Sequence, residues 1–169
     1  MAPALLDTLE ASLDALDVTH GRTTAAELPD AVRDAVVEPA VGASLPWDGL
    51  SLGGTPVDLE PTPAALQAAA TGVTAAGAAI AAEGSLLIQG RPAGDEPTSL
   101  YPPRHVAVLR ERDVLEGVAE AVEWLAGEFG AGRRSAVIAT GASATADMGE
   151  LVAGVHGPGE VHVITVTDR

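Results

Sequence analysis

Four side chains within residues 135–162 have types and an order that could do chemistry: Ser143, Thr145, Asp147 and His156. A hydroxyl, a carboxylate and an imidazole are the parts of nucleophilic hydrolysis. The turn Gly141-Ala142-Ser143-Ala144-Thr145 has the outline of a nucleophile elbow, but Thr145 stands where the final glycine is required, which argues against a Ser143 hydrolase. Asp147 then reads more simply as a first-turn residue of a helix, where the macrodipole favours a carboxylate. The other use of the turn is as an anion cradle. A β-branched strand over 135–139 running into a short helix after residue 145 would leave the amide of Gly141 and the hydroxyls of Ser143 and Thr145 at a helix N-terminus. A purely structural connection fits the same residues. His156 lies in Val155-His156-Gly157-Pro158-Gly159, whose small members would let a ligand or another chain approach the ring; a loop histidine bonded to backbone is the plain alternative.

Further candidates are scattered along the chain. Arg104 and His105 follow two prolines and open a strand, so they sit at the amino end of a sheet, where an orienting or interface role is as natural as ligand binding. Arg91 follows a strand in a loop and stands out because basic residues are scarce. Glu83 would close a helix over 74–84, facing the negative pole of its dipole, which makes it a weak catalytic candidate; in so acidic a chain it also reads as one more surface carboxylate. His20, His105, His156 and His162 show no metal-ligand spacing, and no metal site is predicted.

The elements that must position these residues can be read from periodicity. Leu5, Leu6, Leu9, Leu13 and Leu16 recur at helical spacing after Pro3. Thr24 and Glu27 have capping-box spacing for a second helix ending near Val37, followed by a short strand over 40–44. Residues 45–61, rich in glycine and proline, predict turns around one or two short strands. Thr62-Pro63 starts a brief helix, and an Ala-rich helix follows Thr74 and ends at Gly84. Strands are predicted over 85–89 and 105–109, with a polar loop over 90–97 between them. Asp113 and Glu116 cap a strong helix whose buried face is Val114, Val118, Val122, Leu125 and Phe129. Strands over 135–139 and 161–166 close the chain. The alternation predicts an α/β fold, a mostly parallel sheet flanked by helices, in one domain spanning 1–169.

Composition narrows the function. The chain has 24 acidic and nine basic residues, a formal charge of −15, and every basic residue is arginine. Fifteen uncompensated charges repel in dilute buffer, whereas at about 1 M salt the screening length falls to roughly 3 Å. Acidity alone would not remove every lysine while keeping the arginines, so a halophilic, haloarchaeal-type protein is expected. Nucleic acid is an unsuitable partner without a basic stripe. With no cysteine the chain cannot ligate an all-thiolate iron–sulfur cluster, and with no lysine it cannot form a Schiff base. The first residues lack a basic n-region and the Ala-rich run over 68–82 is short and weakly apolar, so a cytoplasmic protein without membrane insertion is expected.

Several blocks together resemble the LUD (lactate-utilisation) domain family, and within it the small C subunit of the lactate-utilisation operon. They are Gly72-Val73-Thr74 with Ile80-Ala81-Ala82-Glu83-Gly84-Ser85, then Ser99-Leu100-Tyr101-Pro102-Pro103-Arg104-His105, then Thr140 through Asp147, and Gly154-Val155-His156-Gly157-Pro158. The resemblance implies a NagB/RpiA/CoA transferase-like architecture, with 62–169 as the motif-bearing core and 1–61 as a shortened N-terminal part. Many members carry Pro at the place of Ala142, Arg at that of Ala144, and Thr-Gly-Thr in place of Glu83-Gly84-Ser85; losing that arginine weakens an anion site. The matching positions include Ser143, Thr145, Asp147, His156 and His105. The resemblance further implies a part in oxidising L-lactate to pyruvate beside an iron–sulfur LUD-type partner subunit, this chain being a non-redox ligand-binding or assembly subunit with no cofactor of its own. A stand-alone enzyme of the same fold, using Glu83 on a CoA thioester, a sugar phosphate or a folate, is the alternative. A homodimer, or other homo-oligomer, with the 135–162 motif as its interface is a third, which residues 154–159 lying between two subunits would favour.

Overall fold

The computed structural model describes residues 4–147 and 149–169. In chain order the elements are α1 (Leu5–Ala15), β1 (Thr19–Thr23), α2 (Leu28–Ala35), β2 (Ala40–Gly42), β3 (Val57–Asp58), α3 (Pro63–Ala68), β4 (Thr71–Ala75), β5 (Ala78–Ile80), β6 (Ser85–Gln89), α4 (Asp95–Leu100), β7 (Arg104–Arg110), β8 (Val114–Leu115), α5 (Val118–Gly130), β9 (Ala136–Thr140), β10 (Ala144–Thr145), β11 (Val152–Ala153) and β12 (Glu160–Val166). Six strands form a parallel sheet in the order β1-β12-β7-β4-β2-β3, and β8-β5-β6-β9 form a second sheet. The fold is α/β, with a mostly parallel central sheet flanked by helices.

Strand periodicity decides what each face of the central sheet meets. On β7, Val106 and Val108 pack with Leu28 and Val32 of α2, while Ala107 and Leu109 pack with Leu6, Leu9 and Leu13 of α1 and with Ala79 and Leu86 of the second sheet. The second sheet is buried on both sides in turn: its Ala78, Ile80 and Leu87 lie under Ala121, Trp124 and Leu125 of α5. His105, in step with Ala107 and Leu109, therefore faces the second sheet.

Several expected elements are as the periodicity predicts. The Leu-rich helix is α1, although Pro3 lies outside the described residues, and the Thr62 hydroxyl caps α3 by accepting from the Ala65 amide at 3.1 Å. Other readings are corrected. The predicted helix over 74–84 is instead β4, β5 and a turn, with Gly84 at φ +65° in that turn. Alanine favours helices, but here a run of small side chains serves close packing between two sheets: Ala76, Ala78, Ala79 and Ala81 are fully buried. Gly72 is required for the same reason, since a Cβ there would come within 2.0 Å of the Thr98 carbonyl oxygen of α4. Because no helix ends at Gly84, Glu83 does not close a helix; it is exposed on the turn.

The short helix expected after residue 145 is a hairpin, β10 against β11, with Ala144 opposite Ala153 and Thr145 opposite Val152. Gly149 at φ +89° and the bond from its N–H to the Ala146 carbonyl at 3.0 Å turn the chain back before a second helical turn can form. Met148 lies outside the described residues. The α5 cap is also displaced: Glu120 accepts from the Gly117 amide at 3.0 Å, whereas Asp113 belongs to a 3-10 turn and Val114 to β8. The buried face of α5 carries Ala121, Trp124 and Leu125, leaving Val118, Val122 and Phe129 exposed. Small Ala121 permits the close approach to β5 that the valines would block. Sequence reading missed β1, β8 and the short α4, which occupies part of the expected loop over 90–97.

Candidate functional site

The amino ends of β7 and β12 meet the second sheet at a cavity of about 210 Å³. Its floor is His105, Val161 and Ile88; Ser99 and Leu100 of α4 and residues 137–140 of β9 form the sides; Gly141, Ala142, Ser143, His156, Gly157 and Pro158 cover it. Residues distant in sequence converge because β9 and β12 flank the hairpin, which returns His156 to within one cavity of Ser143.

His105 is 1% exposed, and its Nε2 is 2.9 Å from the Thr74 hydroxyl. Burial pushes its pKa down to about 4, because a charged ring would lose its water without gaining a counter-charge. The floor is therefore a neutral imidazole at ordinary pH, a hydrogen-bonding group and not a cation. Thr74, expected to precede a helix, is the residue sequence reasoning missed; it lies on the same face as His105 one strand away, and only sheet pairing reveals that.

The roof is held by backbone. The Ser143 N–H donates to the Pro158 carbonyl and the Ser143 carbonyl accepts from Gly154, both at 2.8 Å. The expected cradle of bare amides at a helix N-terminus is thus corrected twice: there is no helix, and the Ser143 amide is already engaged. What remains is the Ser143 side chain packed near Gly157, where a Cβ would lie 3.1 Å from the Ser143 Cβ, the left-handed Gly141 at φ +71°, and the exposed ring of His156. Thr140, in the wall, is fixed by a 2.7 Å bond between its hydroxyl and that of Ser85.

Of the sequence candidates, Gly141, Ser143, His156 and His105 line this one cavity. Thr145 and Asp147 do not; Asp147 donates its N–H to the Thr145 hydroxyl at 3.3 Å in the hairpin turn. Arg104 is at the amino end of β7 as expected, but its guanidinium is held by Glu160 at 2.6 Å and by the Ala35 carbonyl at 3.0 Å. Arg91 pairs with buried Asp95 and donates to the Ser44 carbonyl at 2.8 Å, bordering a different groove. Glu83 borders none of the cavities described here; the nearest link is through Ser85, two residues on. Among the described residues no group of three or more His, Asp or Glu side chains could hold a metal ion.

The sequence profile described as the LUD domain matches residues 20–166. A solved structure described as a DUF162 family protein from Deinococcus radiodurans is similar to the chain at 26% identity, with a TM-score of 0.72 and 96% of each chain covered. No curated protein matches.

Proposed function

We infer, from the premise that the chain belongs to the LUD domain family, whose members are associated with lactate utilisation, that it is the non-redox C subunit of an iron–sulfur L-lactate oxidation system. Its role there is to bind a small carboxylate ligand or to help assemble the cluster-bearing subunit. The observation that carries the reading is the convergence of Ser143 and His156 over buried His105 in a cavity of about 210 Å³. That volume suits a hydroxy acid of lactate size. The Ser143 hydroxyl and the His156 ring can meet a carboxylate from the solvent side, while the neutral His105 ring makes the floor below it uncharged. Clusters belong to the partner, since a chain with no cysteine has no thiolates to hold them.

Titration of the intact chain with L-lactate, followed by amide NMR, tests the ligand. Saturable shifts at 141–143 and 156–158 are expected, and Ser143→Ala should weaken binding about tenfold; shifts confined elsewhere overturn it. Pull-down from the native host in high salt tests the partnership, with recovery of an iron–sulfur LUD-type protein as the expected result and repeated failure to recover one as the contrary. The acidic, lysine-free composition further supports function in a salty cytoplasm. On that reading the chain melts at a higher temperature in molar KCl than in dilute buffer, because screening relieves the repulsion of its net charge of −15; equal melting in both removes it. No helix among the described residues is long and apolar enough to cross a membrane.

A further inference from the structure

A second groove, of about 640 Å³, shares Leu100 with the cavity as a lining residue. Arg91, Arg133 and Arg134 border it, three of the nine arginines in a chain with no lysine. Their pairing is unequal. Arg91 is committed to Asp95 and to the Ser44 carbonyl. Arg133 is only loosely tied, its Nε lying 3.5 Å from Glu128, and the carboxylate that borders the groove, Glu96, accepts from the Ser135 hydroxyl at 2.9 Å. Arg134 has no carboxylate within 4 Å among the described residues. The other two in that position, Arg112 and Arg169, each have an acidic chain neighbour; Arg134 stands between Arg133 and Ser135.

In a chain of net charge −15, an exposed adjacent pair of guanidinium groups beside a concave surface is a local reversal of the field. Two planar forks match the several acceptor oxygens of a phosphate better than the single plane of a carboxylate. The groove also has an apolar side: Leu100 and Tyr101 are exposed along it, Tyr101 at 68%. Its volume falls in the small-molecule range of about 300–1,000 Å³.

We propose that this groove is a binding site for a phosphate ester, Arg134 and Arg133 holding the phosphate while Leu100 and Tyr101 cover its apolar body. The site is distinct from the lactate cavity and does not depend on what that cavity binds.

The test titrates the intact chain, at one fixed salt concentration, with phenyl phosphate, inorganic phosphate, benzoate and a glutamate decapeptide, reading amide shifts. Phenyl phosphate should give saturable shifts at 132–135 and at Tyr101, with tighter binding than phosphate or benzoate. Arg134→Ala should weaken it about tenfold or more, and Tyr101→Ala should bring phenyl phosphate down to the affinity of inorganic phosphate. Both residues are exposed, so unchanged melting temperatures confirm that the variants are folded. Absence of saturable shifts, an Arg134→Ala variant that binds as well as wild type, or tighter binding of the decapeptide, which would make the groove a seat for an acidic peptide, each overturns the proposal. Shifts at Ser143 on adding L-lactate report the cavity separately, so failure there leaves the groove's result unaffected.

Discussion

The floor and the roof of the cavity are built by opposite means. The floor centres on His105 in the central sheet, which is 1% exposed and bonds at 2.9 Å to Thr74, 0% exposed on the next strand. The roof is carried by a hairpin of two-residue strands, with His156 exposed and the path fixed mainly by backbone bonds at Ser143. Changes below should therefore appear as stability, and changes above as binding. Where the molecule is packed on every side, a polar group must find its partner within the protein; where it faces water, its partner can be a ligand.

The sharpest way to break this contrast is at the close contact beneath the floor. Gly72→Ala places a Cβ 2.0 Å from the Thr98 carbonyl oxygen, and the forced separation of α4 from β4 should cost about 3 kcal/mol or more in a denaturant melt. A loss under about 1 kcal/mol would mean that α4 yields, and that the floor is softer than its burial suggests.

Next comes acid sensitivity. The His105 pKa is about 4 in the folded chain against 6.5 unfolded, so between those values the unfolded state binds more protons. Stability must then fall as pH drops from about 6.5 to 4, by roughly 3 kcal/mol from this ring alone, and level off below that. His162, whose pKa burial and the Arg104 charge also lower, adds to the same trend. Asp95, raised by burial, acts with the opposite sign. Denaturation at stepped pH should show the slope in wild type and a much reduced one in His105→Gln; an unchanged slope would transfer the proton uptake to another group.

Thr74→Val should cost about 1–3 kcal/mol by leaving the imidazole without its partner, measured in the same melts; a neutral result would show the ring finding another partner. The smallest effects belong to the roof. Ser143→Ala and His156→Ala should each change stability by no more than about 0.5 kcal/mol while weakening the proposed lactate binding about tenfold. A large loss of stability in either would make the roof structural and erase the distinction.

The same contrast explains which parts were legible in the sequence. Where an element has one dry face and one wet one, its period survives, as in α1; strands such as β6 and β7, nearly continuous apolar runs, are equally plain. The stretch 71–81 misled because it is dry on nearly all sides, so its residues were selected for size, and small residues resemble a helix former's choice. On α5, Val118 and Val122 form the more apolar stripe, yet the second sheet admits the stripe with the smaller residue, Ala121. The candidate site was half readable. Gly141, Ser143, His156 and His105 come together, but the helix expected to aim them is a hairpin, and Thr74 was hidden because its partner lies 31 residues away in the chain.

Composition and local pattern by themselves determined the charge, the want of thiolate ligands, the alternation that makes an α/β sheet and the small-residue turns around Ser143 and His156. These are additive or short-range properties, and a chain carries them into any fold. Only the tertiary structure decided which face of each element turned inward, that Thr74 rather than water meets His105, and that three arginines border one groove while Arg104 is consumed by Glu160. Those outcomes depend on strand register and on how closely two layers can approach, and both are settled by contacts between residues far apart in the chain.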